Sequence, residues 1–179
     1  MIANLYVEKL FHNSKLPKKQ TDYAACYDIH AQLMIPTHKN TPENLVSVTV
    51  KTISSLNTTY YSPVNDKGIL IISPGERVMV PTGLRMCCDP GYKIQAVSRS
   101  GMSHKKGLIL TNGVGTIDAD YRDQVFILLT NITDTAVTIT HGDRIAQLEV
   151  IKLEPTNIIV GQLPDTDSSR TGGFGSTGS

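Results

Sequence analysis

The chain has 179 residues, of which 40% are hydrophobic and 18% are charged, and its formal net charge is +1 at pH 7. This length suits one domain with a real core, and the composition excludes an intrinsically disordered chain. The near-neutral charge gives no electrostatic case for nucleic acid or a membrane as the main partner, and no apolar run reaches the length of a membrane span, so we expect a cytoplasmic protein.

Short apolar runs with branched side chains or strict alternation predict β-strands along most of the chain. In chain order they lie at 46–50, 69–72, 77–80, 92–97, 108–110, 125–129, 136–140 and 145–153. Turn sequences that contain Gly separate several of them, at 73–76, 89–92 and 141–143. The only helix that the sequence predicts is a short one at 100–106. Many short strands at this spacing indicate an all-β sandwich, jelly roll or closed barrel.

Two segments differ from the strand-rich remainder. Residues 36–67 are rich in Thr, Asn and Ser but contain the strand-like run VSVTV at their centre, so we expect an inserted hairpin or solvent-facing arm. Residues 164–179 have almost no aliphatic side chains and are expected to be mobile in isolation. We therefore expect one domain at 1–163 followed by a flexible C-terminal segment.

The cysteines and histidines carry no sign of a disulfide framework or a zinc site. The three cysteines include the neighbours Cys87 and Cys88, whose side chains a strand would point to opposite faces. The five histidines have none of the spacings that place two ligands on one helix face, and there is no CxxC. We therefore expect free thiols and no structural zinc.

The C-terminal sequence RTGGFGSTGS, at 170–179, contains groups that a plain linker does not need. Glycine and serine runs are usually flexible linkers, which is the simplest interpretation. However, Arg170, the hydroxyls of Ser176 and Thr177, and backbone NH groups bared by glycines such as Gly175 could together hold a phosphate. The ring of Phe174 could lie flat on a nucleobase.

The stretch VSRSGMSHKKG, at 97–107, also permits two interpretations. It can be a polar turn into a short helix with Ser100 as its N-cap. Alternatively, Arg99 in front of the helix, with Ser100 and Gly101 at its start, offers a fixed positive charge and free backbone NH groups to an anion.

The stretch NGVGTIDADYRDQV, at 112–125, crowds Asp118, Asp120 and Asp123 together. Such a cluster is commonly a solvated turn between strands. Asn112, followed by two nearby glycines, instead fits a tight hairpin whose backbone can approach a planar ligand, with one acid orienting water. We do not expect a paired metal site at Asp118 and Asp120.

Five short motifs, in this order, resemble those of trimeric deoxyuridine triphosphatases, the dUTPases. They are AACYDIHA at 24–31, RSG at 99–101, NGVGTIDADYR at 112–122, GDRIAQL at 142–148 and RTGGFGSTG at 170–178. The resemblance implies a distorted jelly-roll β-barrel with one short helix, assembled as a homotrimer with a swapped C-terminal arm. It also implies active sites between subunits, each closed by a C-terminal lid formed by residues 164–179.

The resemblance further implies hydrolysis of dUTP to dUMP and pyrophosphate, which keeps uracil out of DNA and supplies dUMP for thymidylate synthesis. Asp118 would be the general base for a water that attacks the α-phosphate. Tyr121 would pack against the deoxyribose and exclude a 2′-hydroxyl, and Phe174 would stack on the uracil. Mg²⁺ would sit on the triphosphate and meet Asp28 only through water. The other implied substrate-binding residues are Asn112, Gly115, Thr116 and Ile117 at the uracil, Arg99, Ser100, Gly101 and Gln147 at the phosphates, and Arg170, Gly175, Ser176 and Thr177 at the γ end.

Some positions depart from the family pattern. Members usually carry glycine where Cys26 and Asp123 stand, and the resemblance says nothing about the insert at 36–67, which is a candidate site for an unidentified protein partner. Two other functions stay open. A dCTP deaminase of the same fold normally needs a glutamate just past the tyrosine hairpin, whereas none follows here until Glu149. A non-catalytic regulatory protein would act through the insert.

Overall fold

The computed structural model describes residues 2–34, 49–54, 58–63 and 68–166, with the backbone alone for 49–54 and 58–63. Strands form most of the regular secondary structure in the described residues, beside one short helix. The strands are β1 (Leu5–Lys9), β2 (Tyr27–His30), β3 (Thr49–Ser54), β4 (Thr58–Pro63), β5 (Ile69–Ile72), β6 (Arg77–Cys88), β7 (Tyr92–Val97), β8 (Leu108–Leu110), β9 (Gly115–Ile117), β10 (Gln124–Asn131), β11 (Val137–Thr140) and β12 (Arg144–Lys152), and the helix is α1 (Ser100–Lys106). No helix of the described residues combines the length and apolarity needed to cross a membrane.

The strands pair antiparallel in three sheets. The largest has the order β4-β3-β6-β10-β8, with β1 also paired to β6. A four-stranded sheet has the order β2-β12-β7-β9, and β11 pairs with β5. The predicted all-β class with one short helix is confirmed for the described residues, and antiparallel sheets of this kind are consistent with a jelly roll.

The longest strand, β6, changes its neighbours halfway along. Its first part pairs with β3 and its last part, over Leu84 to Cys88, pairs with β1. At the bend between these parts, Gly83 has a φ of +67°, and a Cβ atom added there would collide with Ser14 Oγ. Glycine is therefore required for both the backbone conformation and the close approach.

The core is built from the inward faces of these sheets. In β10 buried residues alternate with partly exposed ones, and Val125, Ile127 and Leu129 point inward. Asn131, at the end of the strand, is buried but donates from Nδ2 to the carbonyls of Ile72 at 3.0 Å and Thr135 at 2.8 Å. Its burial is therefore compensated by hydrogen bonds.

The helix has its predicted bounds but not the predicted cap. The residue at the N-cap position is Arg99, with φ −87° and ψ 132°, and no side chain caps the helix. Ser100 is the first helical residue, so the prediction of Ser100 as the N-cap is wrong. The Arg99 carbonyl accepts hydrogen bonds from the backbone NH groups of Met102 and Ser103, both at 3.0 Å, because the turn begins one residue earlier. The helix ends at Gly107, whose φ is 62°.

The insert at 36–67 contains a hairpin in the part that the structure describes. Strands β3 and β4 pair with each other, and β3 also pairs with β6, so this hairpin continues the largest sheet. The predicted strand at 46–50 overlaps β3 only at its last two residues, since 46–48 lie outside the described residues.

Candidate active site

The segment predicted to be a hairpin begins the site. It is a tight turn between two sheets, because β8 pairs with β10 and β9 pairs with β7. Gly113, with a φ of +66°, donates its backbone NH to the carbonyl of Leu110 at 3.0 Å. Two residues on, Gly115 pairs with Ala96 of β7. A Cβ atom added at Gly115 would lie 3.2 Å from the Ala96 Cβ and 3.4 Å from Asn112 Nδ2. The hairpin thus has little space for a larger residue at this position.

The turn after β9 presents Asp118. The backbone NH of Tyr121 donates to the Asp118 carbonyl at 3.1 Å, which closes the turn. Within the described part of the chain, the Asp118 carboxylate is exposed and has no hydrogen-bond or ion-pair partner. Arg122 donates to the carbonyls of Ala119 at 3.0 Å and Tyr121 at 2.8 Å.

Arg122 stabilises the backbone of the turn, and in the described residues it forms no ion pair with Asp120 or Asp123. Both carboxylates are exposed. Asp118 differs from Asp120 and Asp123 because it alone of the three lines the cavity described next.

Tyr121 is held at the edge of the turn by its hydroxyl. The phenol donates to the backbone carbonyl of Gln124 at 3.0 Å, and 38% of the residue is exposed. Burial, and secondarily the charge of Asp123, raises the pKa of Tyr121. The phenol therefore keeps its proton and remains a hydrogen-bond donor at neutral pH.

A cavity of about 370 Å³ lies between this hairpin and the large sheet. Its volume falls within the range of small-molecule sites. It brings together the six described residues that the resemblance assigned to the base, the sugar and the attacking water. The lining residues are Asn112, Gly115, Thr116, Ile117, Asp118 and Tyr121 from the hairpin side, and Met79, Ala96, Leu110, Val125, Phe126, Ile127 and Leu128 from the strands.

A second group of predicted residues surrounds the buried carboxylate of Asp28. Its Oδ1 accepts from Arg99 Nε at 2.8 Å and its Oδ2 accepts from Arg144 Nη1 at 3.0 Å. The Asp28 side chain is only 3% exposed, against 18% for Arg99 and 43% for Arg144. Arg99 Nη1 also donates to the Arg144 carbonyl at 3.0 Å. One negative and two positive groups leave this cluster with a net positive charge, which suits an anion.

The elements around Asp28 bring the other predicted phosphate residues to the same region. Gln147 on β12 stands opposite Asp28 of β2 and opposite Val97 of β7. Ser100 and Gly101 follow Arg99 directly at the start of α1. Thus Arg99, Ser100, Gly101 and Gln147, four of the residues predicted to bind phosphates, lie on neighbouring elements.

Two histidines near this cluster are held in environments that disfavour their charged form. His30 on β2 stands opposite Arg144 in the sheet, and Leu33 donates its backbone NH to His141 Nδ1 at 3.1 Å. Burial, more than the charge of Lys15, lowers the pKa of both His30 and His141. Both rings are therefore neutral at neutral pH.

Within the described residues, the two predicted groups do not line the same cavity. None of the residues around Asp28 lines the cavity that contains Asp118. The predicted residues of the C-terminal segment lie outside the described residues: Arg170, Phe174, Gly175, Ser176 and Thr177.

Sequence reasoning missed Arg144 as a member of the Asp28 cluster. It lies within the motif GDRIAQL, and its charge was a signal that could have been used. The apolar lining of the cavity, such as Val125 and Ile127, was also not assigned to the site, because these residues read as ordinary core positions of a strand.

The side chains present do not form a magnesium cage of their own. Within the described residues no group of three or more His, Cys, Asp or Glu side chains could hold a metal ion. Both oxygens of Asp28 already accept from arginines, and a water-mediated contact between Asp28 and Mg²⁺ stays a prediction. Magnesium usually keeps several waters and binds substrate phosphates, so the ion would arrive here as part of the substrate.

The chain beyond β12 leaves the body of the fold. Residues 154–166 are exposed throughout, including Ile158 at 92%, Ile159 at 90%, Val160 at 94% and Leu163 at 86%. An isolated chain thus leaves a continuous apolar run in water, which commonly marks a protein interface.

Comparisons with known proteins agree on the family. A dUTPase family model matches residues 67–178. The deoxyuridine 5'-triphosphate nucleotidohydrolase of Roseobacter denitrificans is 45% identical over 112 residues, which cover 62% of this chain and 73% of that protein. The protein of the same name from Desulfotalea psychrophila is 47% identical over 108 residues, which cover 60% of this chain and 71% of that protein.

Solved structures show the same fold at lower sequence identity. A mutant dUTPase of Staphylococcus bacteriophage 80alpha with dUpNHpp has a TM-score of 0.69 and 20% identity, with 98% of each chain covered. A dUTPase of phage phi11 of S. aureus, in which a species-specific insert is visualised, has a TM-score of 0.63 and 19% identity, with 92% of this chain and 99% of that chain covered. A mutant of that phi11 enzyme coordinates a structural Mg(II) ion, and it has a TM-score of 0.61 and 19% identity, with the same coverage. The family model spans most of the chain, and the site hairpin lies inside it, so this chain belongs to the dUTPase family.

Proposed function

We propose that the chain hydrolyses the magnesium complex of dUTP to dUMP and pyrophosphate, with Asp118 as the general base. The observation that carries the proposal is the cavity of about 370 Å³, because it gathers the described residues predicted for uracil, deoxyribose and the attacking water. The name of the curated relatives, deoxyuridine 5'-triphosphate nucleotidohydrolase, supports the same substrate.

The hairpin supplies recognition of the base and the sugar. Its tight backbone, with Asn112 beside Gly115, offers amide and backbone groups to the uracil edge and little room for the methyl group of thymine. Tyr121 presents its ring from a fixed position, where it packs on the deoxyribose and crowds a 2′-hydroxyl. Selectivity for dUTP over dTTP and UTP follows from these two restrictions.

Asp118 supplies the chemistry. Its carboxylate faces the cavity without a partner in the described residues, so it is available to take a proton from a water molecule. The water then attacks the α-phosphorus, pyrophosphate leaves, and the oxygen of the water becomes part of dUMP. Accepting that proton as the bond to phosphorus forms is the step that a general base accelerates.

The phosphates are bound by cations that are kept in place beforehand. Arg99 is oriented by Asp28 through its Nε, at 2.8 Å, and an oriented guanidinium loses less entropy when it binds an anion. The positive cluster, with Gln147, Ser100 and Gly101 nearby, neutralises charge on the triphosphate and on the departing pyrophosphate. A magnesium ion would come with the triphosphate, and Asp28 would meet it only through water.

The assembly brings the two groups together. No residue of the Asp28 cluster lines the Asp118 cavity in the described part of the chain, and we place each active site between subunits of a homotrimer. The exposed apolar run of residues 158–163 supports an arm that packs on a neighbouring subunit. Residues 164–179 then form a lid on the body at 1–163, with Arg170, Gly175, Ser176 and Thr177 at the γ end and Phe174 on the uracil. A mass of one chain at working concentrations in solution would contradict this arrangement.

A nucleotide panel tests the activity. We expect pyrophosphate from dUTP and little product from dTTP, dCTP or UTP. Asp118→Asn should lower kcat by about 10² to 10⁴, the usual scale for a lost general base, while nucleotide binding is kept. Asp120→Asn is the matched control, because this exposed carboxylate lies in the same turn but not in the cavity, and it should retain activity.

Other outcomes of the panel point elsewhere. Ammonia from dCTP would assign a deaminase of the same fold. No turnover of any nucleotide would favour a regulatory protein that acts through the insert at 36–67, where a partner would bind. Equal losses in Asp118→Asn and Asp120→Asn would refute the assignment of Asp118 as the base.

A further inference from the structure

Strand β6 leaves the regular ladder with β10 next to the active-site turn. Gln124 pairs with Arg85, and Phe126 pairs with Pro81. Residues 82–84 of β6 therefore lie opposite a single residue of β10. Such a bulge interrupts the ladder hydrogen bonds on both strands, so other groups must bond the buried backbone there.

The hydroxyl of Thr82 bonds the backbone at this bulge. Thr82 Oγ1 donates to the carbonyl of Val125 at 2.7 Å and accepts from the backbone NH of Leu84 at 3.2 Å. All three residues are buried, Thr82 with only 1% of its surface exposed. One buried side chain thus links the two strands where their ladder is broken.

The turn that carries Asp118 enters β10 at the same point. The hydroxyl of Tyr121 donates to the carbonyl of Gln124 at 3.0 Å, one residue before the carbonyl that Thr82 holds. Two consecutive carbonyls of β10 are therefore each fixed by a hydroxyl, one from the core and one from the site. Tyr121 and Val125 both line the Asp118 cavity.

The Tyr121 ring depends on this tether for its position. A second cavity, of about 420 Å³, also has Tyr121 in its lining, with residues of β1, β6 and the turn: Tyr6, Val7, Glu8, Arg85, Met86, Cys87 and Arg122. A residue that borders two cavities is not held by close packing on every side. The bond to Gln124 favours the position beside Asp118.

We infer that Thr82 is a positioning residue for sugar selection, which it achieves by fixing the start of β10 and so the carbonyl that tethers Tyr121. The inference rests on the proposed function, in which the Tyr121 ring excludes a 2′-hydroxyl. Thr82 itself touches no substrate. Its loss shifts the Gln124 carbonyl, releases the ring, and weakens the preference for dUTP over UTP.

The test compares selectivity, measured as the ratio of kcat/KM for dUTP to that for UTP, in four variants. Thr82→Val keeps the shape but removes the hydroxyl, and it should lower the ratio about 10-fold, the scale of one lost hydrogen bond. Thr82→Ser keeps a hydroxyl and should retain the ratio. Tyr121→Phe keeps the ring but loses the tether, and should lower the ratio similarly. Because both changes act on one link, the double variant should lose no more than the larger single loss.

A purely structural Thr82 would behave differently. In that case Thr82→Val lowers Tm while the dUTP to UTP ratio stays at the wild-type value, which overturns the inference. Fully additive losses in the double variant also overturn it. If Thr82→Val fails to fold, Tyr121→Phe decides the inference, because that change lies on the surface. An unchanged dUTP to UTP ratio in Tyr121→Phe contradicts the inference.

A readout without turnover separates this inference from the proposed function. The Tyr121 ring gives a signal in the NMR spectrum of the isotope-labelled protein. This signal can be assigned because it is missing from the spectrum of Tyr121→Phe. It should shift in Thr82→Val and stay in place in Thr82→Ser. An unmoved signal overturns the inference even if the wild type hydrolyses dUTP. A wild type inactive on dUTP refutes the proposed function, while the shift still reports whether Thr82 positions the ring.

Discussion

Replacing Asp28 by Asn should destabilise the protein markedly, since it removes the charge that two arginines share. Breaking a buried ion pair by removing one partner costs about 3–5 kcal/mol. The cost should be smaller here, because Arg144 is 43% exposed and can be rehydrated, and because the amide keeps one acceptor. We expect a loss of about 2–3 kcal/mol in the free energy of unfolding. In a chain of this size, each kcal/mol lost lowers Tm by about 2–4 °C. Tm should therefore fall by about 4–12 °C.

The matched control removes a charge from an exposed pair. Glu8 lies 3.3 Å from Arg85, with side chains 64% and 47% exposed, and such pairs contribute at most about 1 kcal/mol. Thermal unfolding of Asp28→Asn and Glu8→Gln, followed by circular dichroism at one protein concentration, gives the comparison. Added salt should weaken the Glu8 effect but not the Asp28 effect. Equal Tm values for the two variants would refute the view that Asp28 is a buried electrostatic centre.

Two further predictions concern pH and backbone conformation. Burial lowers the pKa of His30 and His141 from the ordinary value of 6.5. Below pH 6.5 the unfolded chain therefore binds more protons than the folded chain, so the stability of the protein falls as the pH falls. Tm measured from pH 7 to pH 5 should drop less in His141→Asn, and a profile parallel to the wild type would contradict this. Gly83→Ala should lower Tm far more than Gly75→Ala, because φ is positive at both (+67° and +70°) but only the Cβ at position 83 meets another group, Ser14. Similar Tm losses would show that the φ penalty alone matters.

The sequence predicted strands best where their apolar pattern was uninterrupted. The runs at 69–72 and 92–97 coincide with β5 and β7. The prediction for β6 stopped at residue 80, whereas the strand continues to Cys88, because Pro81 and Gly83 normally end a strand. Here they form the bend at which the strand changes neighbours. Strand β1 was missed, since it is an edge strand with charged residues and lacks a clear alternation.

In the candidate site, too, the sequence predicted the local contacts but not the contacts between distant residues. The hairpin residues were predictable because they lie within ten positions of each other, from Asn112 to Tyr121, and turn chemistry is local. The contacts of Asp28 could not be predicted, because its arginine partners are 71 and 116 positions away in the sequence. Only the sheet register brings β2 and β12 together, and no local pattern encodes that register.

The pairing of β1 with the far end of β6 has a consequence for synthesis on the ribosome. Lys9, at the end of β1, stands opposite Leu84, so β1 has no partner until 75 further residues have been added. At about 5–20 residues per second this takes roughly 4–15 s. During that time β1 is an unsatisfied strand, open to chaperones and to neighbouring chains, and the large sheet is completed only after β10, its last strand along the chain, has been made.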